Sequence, residues 1–218
     1  AYWAQVKKEI KDLHGTFEID LKNPEIPEHG QNNYDVIQAM LKTSRKDVFC
    51  DSSKKLSRLE SLSKSNLFDL RVVHLIRDGR AVGFSHQKKG HSFLATVRRW
   101  NKFQKRHNRG VKRLINPDKL LTLRYEDLVS DPQRQLARIL RLVELDFEPS
   151  QLKFRETPHH ILSGNRMRWS NTQEIRLDKS YLEKIPWYQW AGANLTAFSG
   201  LRTHGYSLFR KRTDDSTK

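Results

Sequence analysis

Three short apolar runs, each stopping abruptly at charged or hydroxyl-bearing residues, constrain the fold of this chain more than any other feature. DVFC ends at Asp51-Ser52-Ser53-Lys54, LRVVHLI at Arg77-Asp78-Gly79-Arg80, and KLLTL at Arg124-Tyr125-Glu126-Asp127. Continuous apolar runs of this length, without polar alternation, read as strands buried on both faces of a parallel sheet. Between them the period changes to that of helices. Leu56, Leu59 and Leu62 separate the first run from the second, and the stretches 81–89 and 93–108 separate the second from the third. Strand, helix and strand in sequence imply a right-handed parallel crossover. Further helices are expected at 1–13, where Trp3, Val6, Ile10 and Leu13 share a face, at 34–46, at 133–143 after the start signal Asp131-Pro132, and at 192–204. Residues 16–33, with Pro24, Pro27, Gly30 and paired Asn, read as an irregular loop, as does 157–174. The fold class is therefore α/β with a mainly parallel central sheet, whose ligands bind beyond the carboxyl ends of the strands. Residues 1–209 are expected to form one domain and 210–218 a basic flexible tail.

Charge narrows the partners without choosing among them. Subtracting 25 acidic from 41 basic residues leaves +16 on 218 residues, densest at 98–113 and 210–212. Such an excess attracts polyanions: nucleic acid, an acidic membrane surface, sulfated or uronic glycans, or a nucleotide with several phosphates. Each basic run also reads as a solvated helix face or a frayed end. Cys50 is the single cysteine, so neither an internal disulfide nor a cysteine-based metal cluster can form. The nine histidines show no HxH or HExxH spacing, and no metal is expected. No apolar run approaches the roughly 20 residues that cross a bilayer.

Arg77 leaves its run with Ser85 eight positions on, across a turn and the first turns of a helix. A guanidinium and a hydroxyl can converge there on one anion near a helix N-terminus. The full string VVHLIRDGRAVGFS resembles the segment that holds the 3′-phosphate of the sulfate donor PAPS (3′-phosphoadenosine 5′-phosphosulfate) in sulfotransferases. It is preceded by FCDSSK and followed by LRYEDLVSDP and HILSGNRMR in family order, with HGY at His204 to Tyr206. The likeness is to bacterial-type and carbohydrate-type sulfotransferase domains. It implies a three-layer P-loop-like fold, PAPS as co-substrate without a metal, and sulfuryl transfer to a hydroxyl, less readily an amine, of a carbohydrate or small molecule. By the same resemblance Arg77 and Ser85 hold the 3′-phosphate, and Gly164, Asn165, Arg166 and Arg168 belong to a late loop that closes over the nucleotide. Asp51 is placed as general base and Lys54 at the bridging oxygen of the leaving group. The family's glycine-rich turn of the kind GxxRSGT, which holds the 5′-phosphosulfate, has no counterpart here. Its expected place lies before residue 1, so the chain is expected to lack the first strand and its loop. Cytoplasm is the expected location, or the Golgi lumen if an anchor precedes the chain.

Each assignment has a structural competitor. Ser85 could cap a helix and Arg77 pair with Asp78, Asp51 could cap the helix that follows it, and Lys54, Arg166 and Arg168 could be solvated. Glu126 or Asp127 could orient Arg77 or cap the next helix. His160 reads as loop packing, His74 as a core histidine, and Trp100 with Phe103 as core packing or a stacking platform. Two further functions compete with sulfuryl transfer: a non-catalytic nucleotide or polyanion binder, and a nucleic-acid-binding module. The latter lacks an RRM-like aromatic string, a zinc finger or a clear helix-turn-helix. A nucleotide kinase would require the Walker motif G-x-x-x-x-G-K-[ST], which is absent.

Overall fold

The computed structural model describes residues 2–15, 21, 23, 26, 28–153, 156 and 177–210. Two compact units divide the chain, one of residues 1–72 and 107–119, the other of 73–106 and 120–218.

In the first unit, helices α1 (Tyr2–His14) and α2 (His29–Ser44) bury Val6 and Ile10 against Ala39, whereas Trp3 and Leu13, expected on the same face, are exposed. His14 Nδ1 lies 2.8 Å from Asp35 Oδ2, and Lys42 pairs with Glu9 at 2.6 Å, so polar contacts flank the apolar seam. The chain leaves α1 at Gly15, where φ is 76°. The expected loop over 16–33 is shorter than its composition suggests, because α2 begins at His29. Gly30 acts there as a packing residue: a Cβ on it would stand 2.5 Å from the Cβ of Ser65, at the end of helix α3 (Leu56–Ser65). Asn33 donates to the His29 carbonyl within the same turn at 2.8 Å, which spends its polar group inside the helix.

The strand expected at DVFC does not form. Residues 46–55 are irregular apart from a bend, and Val48 and Phe49 are 43% and 36% exposed. An apolar run becomes a strand only when a neighbour completes its hydrogen-bond ladder, and among the described residues none pairs with this one. The crossover expected through α3 is therefore absent as well.

The second unit carries the sheet, in which β1 (Val72–Ile76) and β2 (Leu120–Arg124) pair in parallel. Helices α4 (Gly79–Gln87) and α5 (Phe93–Leu114) lie between the strands in sequence. After β2 come α6 (Tyr125–Ser130), α7 (Pro132–Leu142), α8 (Ser180–Lys184) and α9 (Trp187–Thr203). The helix expected at 133–143 is found one residue earlier, capped by Asp131, whose side chain accepts from the Arg134 amide at 3.1 Å. The core gathers Ile76, Val97, Trp100, Trp190, Ala197 and Leu201. Trp100 lies so close to the turn after β1 that a Cβ on Gly79 would meet its ring at 2.6 Å.

Helix α9 is interrupted at Ala197, where φ and ψ are −119° and 18°. Asn101 on α5 fills the break: its Nδ2 donates to the Thr196 carbonyl at 3.1 Å, and its Oδ1 accepts from the Gly200 amide at 3.0 Å. Backbone groups freed by a kink need such partners. Asn101→Leu should therefore lower stability by about 1–3 kcal/mol, the cost of leaving buried polar groups unpaired. Chemical denaturation checks this, and an unchanged midpoint would show that water replaces the amide.

Candidate functional site

The site is built from the turn that follows β1. Ile76 ends the strand in the core, and Asp78 starts α4 by accepting from the Arg80 amide at 2.8 Å. Asp78 and Arg80 are 1% and 3% exposed and form a bidentate pair, with Arg80 Nε 3.0 Å from Asp78 Oδ1 and an Nη2 contact of 2.7 Å to Oδ2. Arg80 also donates to Asn194 Oδ1 at 3.0 Å and lies over the Trp190 ring at 4.0 Å. Tyr181 places its hydroxyl 3.4 Å from Asp78 Oδ2. Burial, followed by the Asp78 and Glu126 carboxylates, pushes the Tyr181 phenol well above its ordinary range.

The partner of Asp78 is thus Arg80, not Arg77. Arg77 directly follows the strand and is half-buried, and its Nε is buried with no hydrogen-bond partner among the described residues. Its guanidinium carbon lies over the Tyr125 ring, 5.0 Å from the centroid. A buried cationic N–H without a partner costs free energy that an arriving anion would recover. Ser85 sits half-buried inside α4, whose cap is Asp78, so it does not cap the helix. At the end of α4, Lys88 Nζ stands 3.8 Å from Asp178. Ser180, whose amide donates to Asp178 Oδ1 at 2.9 Å, and then the charges of Lys88 and Arg77 hold the Asp178 carboxyl below its usual range.

Glu126 anchors the turn from β2. Its Oε1 accepts from the Asp78 amide at 3.0 Å and its Oε2 from the Tyr206 hydroxyl at 2.9 Å, with the Ile76 carbonyl 3.2 Å from the same hydroxyl. Burial and the Glu126 charge push the Tyr206 phenol far upward. Asp127 pairs with Arg124, which also donates to the Gly205 carbonyl at 3.0 Å. Through these contacts YED and HGY together fix the ends of both strands.

Asp51 and Lys54 lie in the first unit. Asp51 Oδ1 accepts from the Ser53 amide at 2.8 Å, and Oδ2 receives Arg58 Nε at 2.5 Å; Arg58 in turn donates to Asn33 Oδ1 at 2.9 Å. Burial raises the Asp51 pKa, but the hydrogen bonds from Arg58 and Ser53 outweigh it and leave the carboxyl below its ordinary value. The position before α3 is Lys55, without a side-chain cap, so Asp51 does not cap that helix. Lys54 is exposed and donates to the Ser52 carbonyl at 3.2 Å. Gly164, Asn165, Arg166, Arg168 and His160 lie outside the described residues.

Among the described residues no three potential metal ligands cluster, and no helix is long and apolar enough to cross a membrane. Trp100 belongs to the core, while Phe103 is exposed. Sequence reasoning missed Tyr125 beside Arg77 and Asp178 beside Lys88, because both depend on which strand ends and helices meet.

The parallel β1–β2 pair and the helices around it make this an α/β protein, with an arginine whose Nε has no hydrogen-bond partner among the described residues at the carboxyl end of the first strand. The sulfotransferase family model matches residues 16–149, more than half of the chain, and the protein belongs to that family of transferase enzymes. Its fold is similar to the sulfotransferase domain of the Synechococcus PCC 7002 olefin synthase, with a TM-score of 0.59 and 18% identity over 93% of this chain and 75% of that one. It is also similar to the sulfotransferase domain from the curacin biosynthetic pathway, with a TM-score of 0.57 and 15% identity over 94% and 79% of the two chains. At these identities the likeness shows the fold, which is P-loop-like. No curated protein matches the chain.

The Asp51–Arg58 contact yields a test with a defined sign. Because the folded-state pKa of Asp51 is depressed, the contact contributes stability at neutral pH that is lost as pH falls below about 3.9 and through the lowered folded value. Arg58→Gln should raise the Asp51 pKa toward the ordinary range in a carboxyl NMR titration. The stability gap to wild type should close in acid. An unmoved Asp51 titration would show that Ser53 alone sets it.

Proposed function

We propose that this protein transfers a sulfuryl group from PAPS to a hydroxyl of a carbohydrate or small-molecule acceptor. The observation that carries the reading is the buried Nε of Arg77 at the carboxyl end of β1, which has no hydrogen-bond partner among the described residues. It fits an anionic oxygen, and the family's donor brings one in its 3′-phosphate.

The donor supplies an activated sulfuryl group, which the acceptor oxygen takes in line as the bond to the bisphosphate breaks. Arg77 binds the 3′-phosphate, and Ser85 adds a hydroxyl contact. On the strength of the resemblance alone, Gly164, Asn165, Arg166 and Arg168 cover the nucleotide, and Lys54 neutralises charge on the bridging oxygen. Asp51 receives the acceptor's proton at its carboxylate. Its carboxylate already accepts from Arg58 and Ser53, which lowers its pKa and makes it a weaker base. That weakness favours a second reading, nucleotide binding without transfer.

Arg77→Ala should weaken adenosine 3′,5′-bisphosphate binding by about 1.5–3 kcal/mol, and Ser85→Ala by about 1 kcal/mol, in calorimetric titration. Unchanged affinity in Arg77→Ala would overturn the phosphate assignment. Asp51→Asn should reduce turnover by about 10² to 10⁴-fold with bisphosphate affinity intact. A rate near wild type would move the base elsewhere, and no turnover by wild type with any hydroxylated acceptor would support the second reading.

A further inference from the structure

In a chain of which 30% is charged, helix α9 carries one charge in 17 residues, Arg202. Its inner side packs Trp190, Ala193, Ala197 and Leu201 into the core, which accounts for the apolar residues there. The outer side needs another reason. Trp187, Tyr188, Ala191 and Leu195 are all exposed, Trp187 by 78% and Leu195 by 83%. At about 100° per residue these four share an arc of about 100°. Beyond the break at Ala197, exposed Phe198 and Arg202 continue the row, the Arg202 guanidinium lying 5.8 Å from the Phe198 ring centroid. Leu94 of α5, also exposed, borders the row at Gly192, where a Cβ would stand 3.2 Å from the Leu94 Cδ2. The exposed positions of α5 that follow hold instead Arg98, Arg99, Lys102, Lys105 and Arg106. A helix that is apolar on both sides is normally covered on both.

The area of this patch is that of a protein interface. With roughly 150–250 Å² for an aromatic side chain and somewhat less for leucine, the exposed parts of Trp187, Tyr188, Leu195, Phe198 and Leu94 amount to on the order of 600 Å². A standard interface covers roughly 800 Å² on each partner. The order of residues along the row fits a second copy of the same chain. About a twofold axis through Leu195, an antiparallel copy sets Tyr188 against Arg202, and Gly192, with Ala191 and Leu94 beside it, against Phe198. Leu195 then meets its own copy. Each match is chemical: an aromatic face attracts the guanidinium, and the small residues leave room for the phenyl ring. Opposite helix ends also adjoin. A parallel copy would instead set Arg202 against Arg202 and like helix ends together. Self-complementarity of this kind is what a twofold interface requires.

We propose that the outer face of α9, with Leu94, is a self-association surface through which two copies of this chain pair antiparallel about Leu195.

Sedimentation equilibrium of the full chain should show a dimer with a dissociation constant at or below about micromolar. Leu195→Asp should raise that constant at least about tenfold with an unchanged thermal melt, since the side chain lies outside the core. Salt gives an independent sign. The net charge of +16 opposes association of two copies, so raising salt from about 0.1 to about 0.5 M should tighten the dimer, whereas binding to an acidic lipid surface would weaken. A chain that stays monomeric at about 100 µM overturns the proposal, as does a dimer that Leu195→Asp leaves intact. So does a monomer that binds phosphatidylserine vesicles and loses them in Leu195→Asp, because the occupant is then a membrane.

Disulfide trapping reads the register and decides even if Leu195→Asp unfolds. In a Cys50→Ser background oxidised with copper phenanthroline, Leu195→Cys should form a covalent dimer. Tyr188→Cys should not, because an antiparallel copy places the two sulfurs about 21 Å apart along the helices. Mixed with Arg202→Cys, it should link. Self-linking of Tyr188→Cys, or no link at Leu195→Cys, overturns the antiparallel pairing.

Discussion

The buried pair of Asp78 and Arg80 organises the second unit, and its consequences reach well beyond two side chains. A lone charge this far from water would be very costly, and removing one partner of such a pair typically costs about 3–5 kcal/mol. Here the charges are matched and their remaining groups used. Asp78 also caps α4, while Arg80 reaches Asn194 and Trp190 on α9. One ion pair therefore fixes the start of α4 and docks α9 beside it. It also occupies the acid next to Arg77 in sequence, and the Arg77 guanidinium lies over the Tyr125 ring.

How far the sequence disclosed this depends on the range of each interaction. Helices α1, α5 and α7 were legible because their apolar residues recur at helical spacing, and Asp131-Pro132 marked a start that the structure places one residue earlier than expected. The polar endings of β1 and β2 were legible for a similar reason: an apolar run that stops at a charge needs only local information. DVFC failed because strand formation is a property of pairs. Gly30 misled because a glycine in a helix can be selected by a neighbouring helix, here at Ser65. For the site, the string RDGR located the turn after β1, but which arginine is consumed by Asp78 could not be read from adjacency. Both are near it in sequence, and only Arg80 folds back onto it. The ring beneath Arg77 required knowing the partner of β1.

The same division between local and distant information applies to the first unit. Asp51 reads from its string as a base or a helix cap, yet its main partner is Arg58, one turn into a helix that begins at Leu56. Arg58 passes the contact on to Asn33 of α2. The loop that carries Asp51 and Lys54 is thereby tied to two helices, although its backbone forms neither strand nor helix. Net charge says less than this wiring. A surplus of +16 raises attraction for any anion, whereas the state of each named group is set by its nearest partners.

Arg77 shows how a cation can be held between full burial and full exposure. A fully buried, unpaired guanidinium would be prohibitive, and a fully exposed one would gain little from a phosphate because water already serves it. Arg77 lies between these limits: half-buried, with one N–H withdrawn from solvent and the cation resting on Tyr125. The ring lowers the cost of waiting without occupying the donor. The nearby Asp178 carboxyl is held low chiefly by Ser180 and further by the charges of Lys88 and Arg77. Asp178 is bonded to the start of α8 through the Ser180 amide at 2.9 Å, and among the described residues no hydrogen bond joins it to Arg77 Nε.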